Sequence, residues 1–284
     1  MITLENVSYS YPRNKAGILS GLTLDVADGE IFGLLGPSGA GKSTTQKITM
    51  GLLRGFSGSA SVFGKPVGTM GRDFFNRIGV SFELPTLYLR LTAFENLRLY
   101  AALYKGPTRA PMELLSLVGL EEDAHKRVAD FSKGMKMRLN LCRALVNDPD
   151  LLFLDEPTTG QDPARARLTR DLIRQLKQQG KTIFLTTHNM AEADEICDRV
   201  GFLVNGRADV IDAPTTLKKK HGAPVLEVTS DSENGTERQT FPMETIGKNQ
   251  TFLSLVQAGS IQTMHTLEAS LDDVFIKVAG GARD

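Results

Sequence analysis

The sequence has little or none of several features that define whole classes of proteins. Among its 284 residues, lysine plus arginine equal aspartate plus glutamate at 33 each, so no broad basic field indicates nucleic acid as a partner. It has two cysteines, Cys142 and Cys197, without metal-ligand spacing, which suits a reducing compartment. No run of about 18 apolar residues predicts a membrane span, and the N-terminus lacks the pattern of a signal peptide. We therefore expect a soluble cytoplasmic protein.

Three short runs of the sequence are apolar nearly throughout, as expected of strands buried on both faces of a parallel sheet. They are EIFGLLG (30–36), LLFLDE (151–156) and KTIFLTTH (181–188). Each ends in polar residues, and in open α/β sheets ligands gather at the carboxyl ends of the strands. We therefore expect four residues that are far apart in sequence to converge: Lys42, Asp155, Glu156 and His188.

The segment GPSGAGKST (36–44) follows the first run and matches the pattern G-x-x-x-x-G-K-[ST]. Its glycines let the backbone curl so that amide hydrogens point inward, toward phosphate oxygens at the start of the following helix. Lys42 is predicted to lie between the outer two phosphates, Ser43 to ligate magnesium and Thr44 to support an inner phosphate. The predicted phosphate-binding residues are Gly36, Pro37, Ser38, Gly39, Ala40, Gly41, Lys42, Ser43 and Thr44.

The polar ends of the other two runs predict catalytic roles. Asp155 is expected to hold the magnesium shell, and Glu156 to act as general base toward an attacking water. His188 ends the third run, from which it would contact the γ-phosphate. An acid pair at a strand end is a weak signal by itself, but it becomes strong in combination with the phosphate loop.

The rest of the chain predicts a domain with an appendage. A capping box at Thr92 and Glu95 and a cap at Asp162 before Pro163 mark helix starts, and the stretch 84–147 reads as mainly helical. Segments 2–11 and 21–30 read as antiparallel strands at one edge, and 201–211 as a hairpin turning at Asn205-Gly206. Residues 225–242 read as a hairpin around Asn234-Gly235, followed by a helix, a strand and a final helix.

These motifs, in this order, resemble the ATP-binding subunit of an ABC transporter over about residues 1–215. The resemblance implies an α/β P-loop NTPase fold of the ABC ATPase type. Its parts would be a mostly parallel core sheet, an antiparallel β edge, a helical subdomain at about 84–147 and a small α+β accessory domain at 216–284. ATP and Mg²⁺ are the implied cofactors.

The resemblance also assigns residues outside the phosphate loop. The early aromatic Tyr11 matches the position that stacks on adenine. The stretch FSKGM (131–135) lies at the family signature, in which Ser132 and Gly134 face the γ-phosphate held by a second, head-to-tail subunit. Asp162 matches the acidic position of the D-loop, and His188 the switch histidine.

Three positions depart from the family pattern. In the signature, Lys133 replaces a glycine and adds a cation, and Met135 replaces a glutamine, so a hydrogen bond to the ribose is lost. Glu83 ends the predicted strand IGVSFE (78–83), where the family normally has a glutamine that contacts magnesium and the attacking water. A carboxylate oxygen also ligates magnesium, so Glu83 joins Ser43 and Asp155 as a predicted metal ligand.

The resemblance implies an ATPase subunit that powers a separate transmembrane permease from the cytoplasmic face of the membrane. It pairs with a second copy or a homologous ATPase subunit, and its tail resembles subunits of bacterial drug, antibiotic or lipid exporters. The alternative is a soluble ABC-type ATPase in translation or DNA repair, although those chains usually carry two cassettes or a long coiled-coil insertion. A small-molecule kinase or a GTPase is a third interpretation. A GTPase would need the guanine-recognition motif N/T-K-x-D, which is missing, and a kinase does not need the signature.

A cluster of apolar residues in 83–97 predicts the docking surface for the permease. Leu84, Leu87, Tyr88 and Leu89 crowd a segment that reads as an exposed loop. Apolar side chains on an exposed loop indicate a partner site. Packing beneath the helical subdomain is the other interpretation of the same residues.

Overall fold

The computed structural model describes residues 1–12, 17–221, 224–232, 235–267 and 269–280. The chain divides into two compact units, Met1–Ile211 and Asp212–Asp284. The sequence interpretation set the boundary slightly later, after residue 215. Among the described residues, no helix combines the length and the hydropathy that crossing a membrane requires.

The first unit contains both strands and helices. The strands are β1 (Ile2–Tyr9), β2 (Leu19–Val26), β3 (Ile31–Leu35), β4 (Ser57–Val62), β5 (Lys65–Pro66), β6 (Ile78–Ser81), β7 (Leu151–Asp155), β8 (Thr182–Thr187), β9 (Arg199–Phe202) and β10 (Ile211–Asp212), whose last residue begins the second unit. The helices are α1 (Lys42–Thr49), α2 (Arg72–Arg77), α3 (Ala93–Ala101), α4 (Pro111–Leu117), α5 (Lys133–Ala144), α6 (Pro163–Gln178) and α7 (Met190–Ile196). Short 3₁₀ helices cover Val67–Thr69 and Val128–Asp130.

A six-stranded sheet in the order β10-β9-β3-β8-β7-β6 forms the centre of the first unit. The pairs β9–β3, β3–β8, β8–β7 and β7–β6 are all parallel. Every residue of β3, β7 and β8 is buried, as expected of a parallel sheet that is covered on both faces. The predicted mostly parallel core is confirmed, and its three central strands are the three apolar runs.

The predicted antiparallel strands form a sheet of their own, in the order β2-β1-β4-β5. In β2, buried residues recur on one face, as a sheet with one solvated face requires. The buried side chains of β1, β2 and β4 join Phe32, Phe153 and Phe184 of the parallel sheet in one hydrophobic cluster. The second sheet is therefore packed onto the first through a shared core. The hairpin turn at Asn205 and Gly206 is confirmed, since both residues have positive φ.

The segment 84–147 contains three helices, α3, α4 and α5, which contact one another and are joined by loops. The capping box predicted at Thr92 and Glu95 is present. The predicted strand 78–83 is too long: β6 ends at Ser81, and Glu83 lies in the bend that follows. Asn140 of α5 explains this end, because its amide donates hydrogen bonds to the Ser81 hydroxyl (2.9 Å) and to the carbonyl of Phe82 (2.8 Å).

The second unit is a small α+β structure. Its elements are α8 (Pro214–His221), β11 (Val225–Ser232), β12 (Gly235–Pro242), the 3₁₀ helix Met243–Lys248, α9 (Gln250–Ala258), β13 (Ile261–Leu267) and α10 (Leu271–Gly280). The strands form an antiparallel sheet in the order β12-β11-β13, and α8 contacts α10. The predicted hairpin of residues 225–242 is confirmed. Asn234 of its predicted turn lies outside the described residues.

We expect Gly79→Ala to destabilise the first unit, because β6 runs against α5 with no room for a side chain. A Cβ at this position would lie 2.0 Å from the carbonyl oxygen of Ala144 and 2.9 Å from Cγ of Pro149. Such overpacking costs about 1–3 kcal/mol. The measurement is the urea midpoint of unfolding, followed by circular dichroism. Gly68→Ala is the matched control, since a Cβ there meets no atom within 4 Å. Equal midpoints for the two variants would contradict the described packing of β6.

Candidate functional site

A cleft of about 230 Å³ opens at the carboxyl ends of β3, β7 and β8. Its lining consists of Ile18, Ser38, Gly39, Gly41, Lys42, Ser43, Thr44, Glu83, Asp155, Glu156 and His188. The four polar residues expected to converge are all in this set, and Glu83 joins them from the bend after β6. The structure thus brings the phosphate loop, the acid pair and the histidine to one edge of the parallel sheet, where ligands of such sheets bind.

The loop between β3 and α1 depends on glycine. Gly36, Gly39 and Gly41 all have φ in the left-handed region, at 154°, 83° and 110°. A Cβ on Gly36 would lie 2.5 Å from the carbonyl oxygen of Leu203, so this position also has no space for a side chain. Gly41 is the N-cap of α1 and supplies no side-chain hydrogen bond to the first turn. The amide groups at the start of α1 are therefore left for an anion.

Lys42 holds its positive charge inside the loop. Its side chain is 8% exposed, and its Nζ donates hydrogen bonds to the carbonyl oxygens of Gly36 (2.7 Å) and Pro37 (3.0 Å). Burial lowers the pKa of Lys42, while the carboxylates of Glu156, Asp155 and Glu83 raise it. An ammonium group has three donors, and these two carbonyls use two of them, so the third is left for a phosphate oxygen.

Asp155 and Ser43 bring two side-chain oxygens together. The hydroxyl of Ser43 donates to Oδ2 of Asp155 at 2.9 Å, and the hydroxyl of Thr186 donates to Oδ1. Within the described residues, no group of three His, Cys, Asp or Glu side chains could hold a metal ion. This arrangement fits Mg²⁺, which is usually bound by one or two carboxylates together with substrate phosphates rather than by a full protein cage.

Glu156 is held by the residues that end β8. Its Oε1 accepts a hydrogen bond from the backbone amide of His188 (3.0 Å) and lies 2.6 Å from Nδ1 of the same residue. Its Oε2 accepts one from the hydroxyl of Thr187 (3.1 Å). Glu156 also has a φ of 51°, a left-handed conformation that is unusual for glutamate and clusters at functional sites. Its side chain is 9% exposed, whereas that of His188 is 62% exposed.

Tyr11 lies next to the phosphate loop. Its hydroxyl is 3.2 Å from Oγ1 of Thr44, and its half-buried ring packs edge-on against the ring of Tyr9, with centroids 5.1 Å apart. The following residues 13–16 are not described. The structure therefore places the predicted adenine-stacking residue beside the predicted phosphate site, without lining the cleft itself.

Ser132, Gly134 and Asp162 form a second group, apart from the cleft lining. Ser132 caps α5 by accepting a hydrogen bond from the amide of Met135 (3.2 Å), and Asp162 caps α6 in the same way. The two helix starts meet, since a Cβ on Gly134 would lie 3.0 Å from the carbonyl oxygen of Gly160. The structure therefore divides the predicted site residues into a cleft and a separate surface, here called the signature surface (residues 132–134 and 160–162).

Sequence reasoning missed three residues that hold the acid pair. Thr186 and Thr187 each donate to one of the two acids, and Glu192 of α7 contacts Thr187. The contact of Thr186 follows from the strand register, because Asp155 pairs directly with Thr186 in the parallel ladder. The sequence indicates Glu192 only weakly, as a polar residue that lies one helical turn after His188.

The comparisons with known proteins agree with this geometry. The family model described as ABC transporter matches residues 19–159, and the model of a fluoroquinolone efflux ABC transporter C-terminal domain matches residues 227–268. The fluoroquinolones export ATP-binding protein of Mycobacterium tuberculosis (strain H37Rv) is 50% identical over 281 residues, which cover 99% of this chain and 93% of that protein. The Nod factor export ATP-binding protein I of Rhizobium sp. (strain N33) is 37% identical, over 93% of this chain and 86% of that protein.

Solved structures with the same fold include ATPases of the same kind. The structure of an ATP-binding subunit of an ABC transporter has a TM-score of 0.70 and 32% identity, and covers 78% of this chain and 93% of its own. A dimeric ATP-binding cassette in a post-hydrolysis state, bound to ADP and Pi, has a TM-score of 0.68 and 26% identity, with coverage of 75% and 98%. The chain belongs to the ABC transporter family, of which it is an ATP-binding subunit that hydrolyses ATP.

Proposed function

We propose that the chain powers an exporter, in which two ATPase subunits close head to tail around ATP and drive a separate transmembrane permease. The second ATPase subunit is another copy or a homologue, and both lie on the cytoplasmic face of the membrane. The 50% identity to a fluoroquinolones export protein, which extends over both units, carries this proposal. It also favours a small drug-like molecule as cargo. Because the relatives reported above are export proteins, nothing in them favours a soluble ATPase of translation or DNA repair.

The cleft supplies the groups that ATP hydrolysis needs. Lys42 and the amides of residues 36–44 would bind the phosphates of ATP. Ser43 and Asp155, joined by Glu83, would hold Mg²⁺, which when bound neutralises charge on the phosphate oxygens. These roles are supported by the convergence of the residues on one cleft and by the hydrogen bond between Ser43 and Asp155.

Glu156 is the residue that we propose as general base. His188 and Thr187 fix both oxygens of its carboxyl group, so that its orientation is set before substrate binds. His188 contacts Glu156 through Nδ1, and its ring is largely exposed, which leaves Nε2 for the γ-phosphate. A base that takes a proton from the attacking water accelerates hydrolysis only when it is oriented toward that water.

The signature surface supports the head-to-tail arrangement. Ser132 is exposed at the start of α5, which has 12 residues, and Asp162 is exposed at the start of α6. Helix N-termini attract anions, and these two do not face the cleft of their own subunit. We propose that Ser132 and Gly134 contact the γ-phosphate bound by the partner, with Asp162 beside them, while Tyr11 stacks on the adenine of its own nucleotide.

We propose that the permease docks beside α3. Of the four predicted residues, Leu84 is 79% exposed and Tyr88 and Leu89 are also exposed, whereas Leu87 is half-buried. The three exposed side chains do not pack beneath the helices. A cleft of about 600 Å³, lined in part by Phe75, Tyr100 and Arg143, lies close to this loop, since the ring centroids of Tyr88 and Tyr100 are 6.1 Å apart. An exposed apolar loop beside a cleft fits a segment of a membrane protein.

We expect Glu156→Gln to bind ATP and to lose about 10²–10⁴-fold in turnover, because the amide cannot accept the proton of water. Co-expressed with the permease, this variant should also fail to lower the fluoroquinolone content of cells. The measurements are ATP binding, ATPase rate and drug accumulation, with Lys42→Ala as the control that loses nucleotide binding as well. Turnover at the wild-type rate would remove Glu156 from the mechanism.

For Glu83, we expect Glu83→Gln to keep substantial ATPase activity with a changed dependence on magnesium. The amide oxygen still ligates Mg²⁺, but it lacks the negative charge of the carboxylate. Glu83→Ala should lose the ligand together with the link to the docking loop, so that ATPase activity and transport become uncoupled. The measurement is the ATPase rate against magnesium concentration in the assembled transporter. If the three forms give superimposable curves, Glu83 is not a metal ligand.

A further inference from the structure

Glu192 on α7 is a buried carboxyl group to which the proposed mechanism assigns no role. Its side chain is 2% exposed and lies one turn after His188. Its Oε2 is 3.2 Å from the hydroxyl oxygen of Thr187, and its Oε1 is buried without a hydrogen bond of normal geometry in the described residues. Burial of an ionised carboxylate without a hydrogen bond to one of its oxygens would cost free energy, so the charge must be either paired or removed by a proton.

The hydroxyl of Thr187 joins Glu192 to Glu156. It lies 3.1 Å from Oε2 of Glu156 and 3.2 Å from Oε2 of Glu192, and it accepts a hydrogen bond from the amide of Asn189 at 3.0 Å. A threonine hydroxyl has one proton to donate and two lone pairs that accept. It can therefore donate to one carboxyl group only, and the other group must carry a proton of its own to be bonded.

The surroundings of the two carboxyl groups indicate which of them carries this proton. Glu156 already accepts a hydrogen bond from the backbone amide of His188, and the ammonium group of Lys42 faces it. Around Glu192, the partners are the hydroxyls of Thr187 and Thr158, the like charge of Glu156 and the distant guanidinium of Arg170. Burial is the main cause that raises the pKa of Glu192, and the charge of Glu156 adds to it.

We propose that Glu192 is held as a neutral acid that donates to Thr187, so that Thr187 must donate its proton to Glu156. Glu192 is then a positioning residue, which fixes the direction of the hydrogen bond that orients the base. It acts from α7, the helix that follows His188, and so links the position of that helix to the orientation of Glu156. The inference rests on the proposed role of Glu156.

The kinetic test compares Glu192→Ala with Glu192→Gln in the ATPase assay. Glu192→Ala should lose about tenfold in kcat, the effect of one hydrogen bond, with KM for ATP within about twofold of wild type. Glu192→Gln should recover most of that loss, because its amide donates to Thr187 as the neutral acid does. Glu195→Gln on the same helix is the matched control and should leave the rate unchanged, since Glu195 pairs with Arg170 and Arg174 outside the cleft. Equal losses in Glu192→Ala and Glu192→Gln would overturn the proposal.

The spectroscopic test needs no turnover. The infrared difference spectrum of wild type minus Glu192→Gln, without nucleotide, should contain the carbonyl band of a protonated carboxyl group that shifts in D₂O. A spectrum without this band would show that Glu192 is ionised and would overturn the proposal.

If Glu192→Ala does not fold, Thr187→Val replaces it in the kinetic test, with Thr187→Ser as the form that keeps the hydroxyl. If Glu156→Gln retains the wild-type rate, Glu156 is not the general base and Glu192 is not its positioning residue. The infrared band still determines whether Glu192 is protonated.

Discussion

The site depends on the parallel register of three buried strands. Leu35 at the end of β3 pairs with Thr187 of β8, and Asp155 at the end of β7 pairs with Thr186. Because the strands run in the same direction, the phosphate loop, the acid pair and His188 all leave the sheet at one edge. A shift of one residue would turn the side chains of a strand to its other face and separate the two threonines from the acids they hold. The chemistry of the site therefore rests on the packing that fixes this register.

Much of the fold and of the cleft could be predicted because the signals are local. The three apolar runs, the glycines of residues 36–41 and the turn at Asn205-Gly206 each require a conformation that a short stretch of sequence specifies. The end of β6 could not be predicted, because it depends on Asn140, which is distant in sequence and hydrogen-bonds the carbonyl of Phe82. The contacts of Glu192 were missed for a different reason: Thr187 is near in sequence but lies on a different element, and only the folded chain shows that one hydroxyl serves two carboxyl groups.

The cleft of one subunit contains only part of the predicted site, because its lining does not include Ser132, Gly134 or Asp162. Among the described residues, the signature surface contributes none to the lining of the cleft, and it presents two capped helix starts to its surroundings. A Cβ on Gly134 would lie 3.0 Å from the carbonyl oxygen of Gly160, so the starts of α5 and α6 are close to each other. This division supports the proposal that binding of ATP and association with a partner are one event.

The most direct test of the account is a mixing experiment with two inactive variants in the assembled transporter. Lys42→Ala weakens the subunit's own phosphate site, and Ser132→Arg blocks the surface offered to the partner's site. A dimer with one chain of each kind contains one site with both wild-type residues. We predict that each variant alone lacks ATPase activity and that the mixture regains it. A mixture as inactive as its components would contradict the sharing of ATP between two subunits.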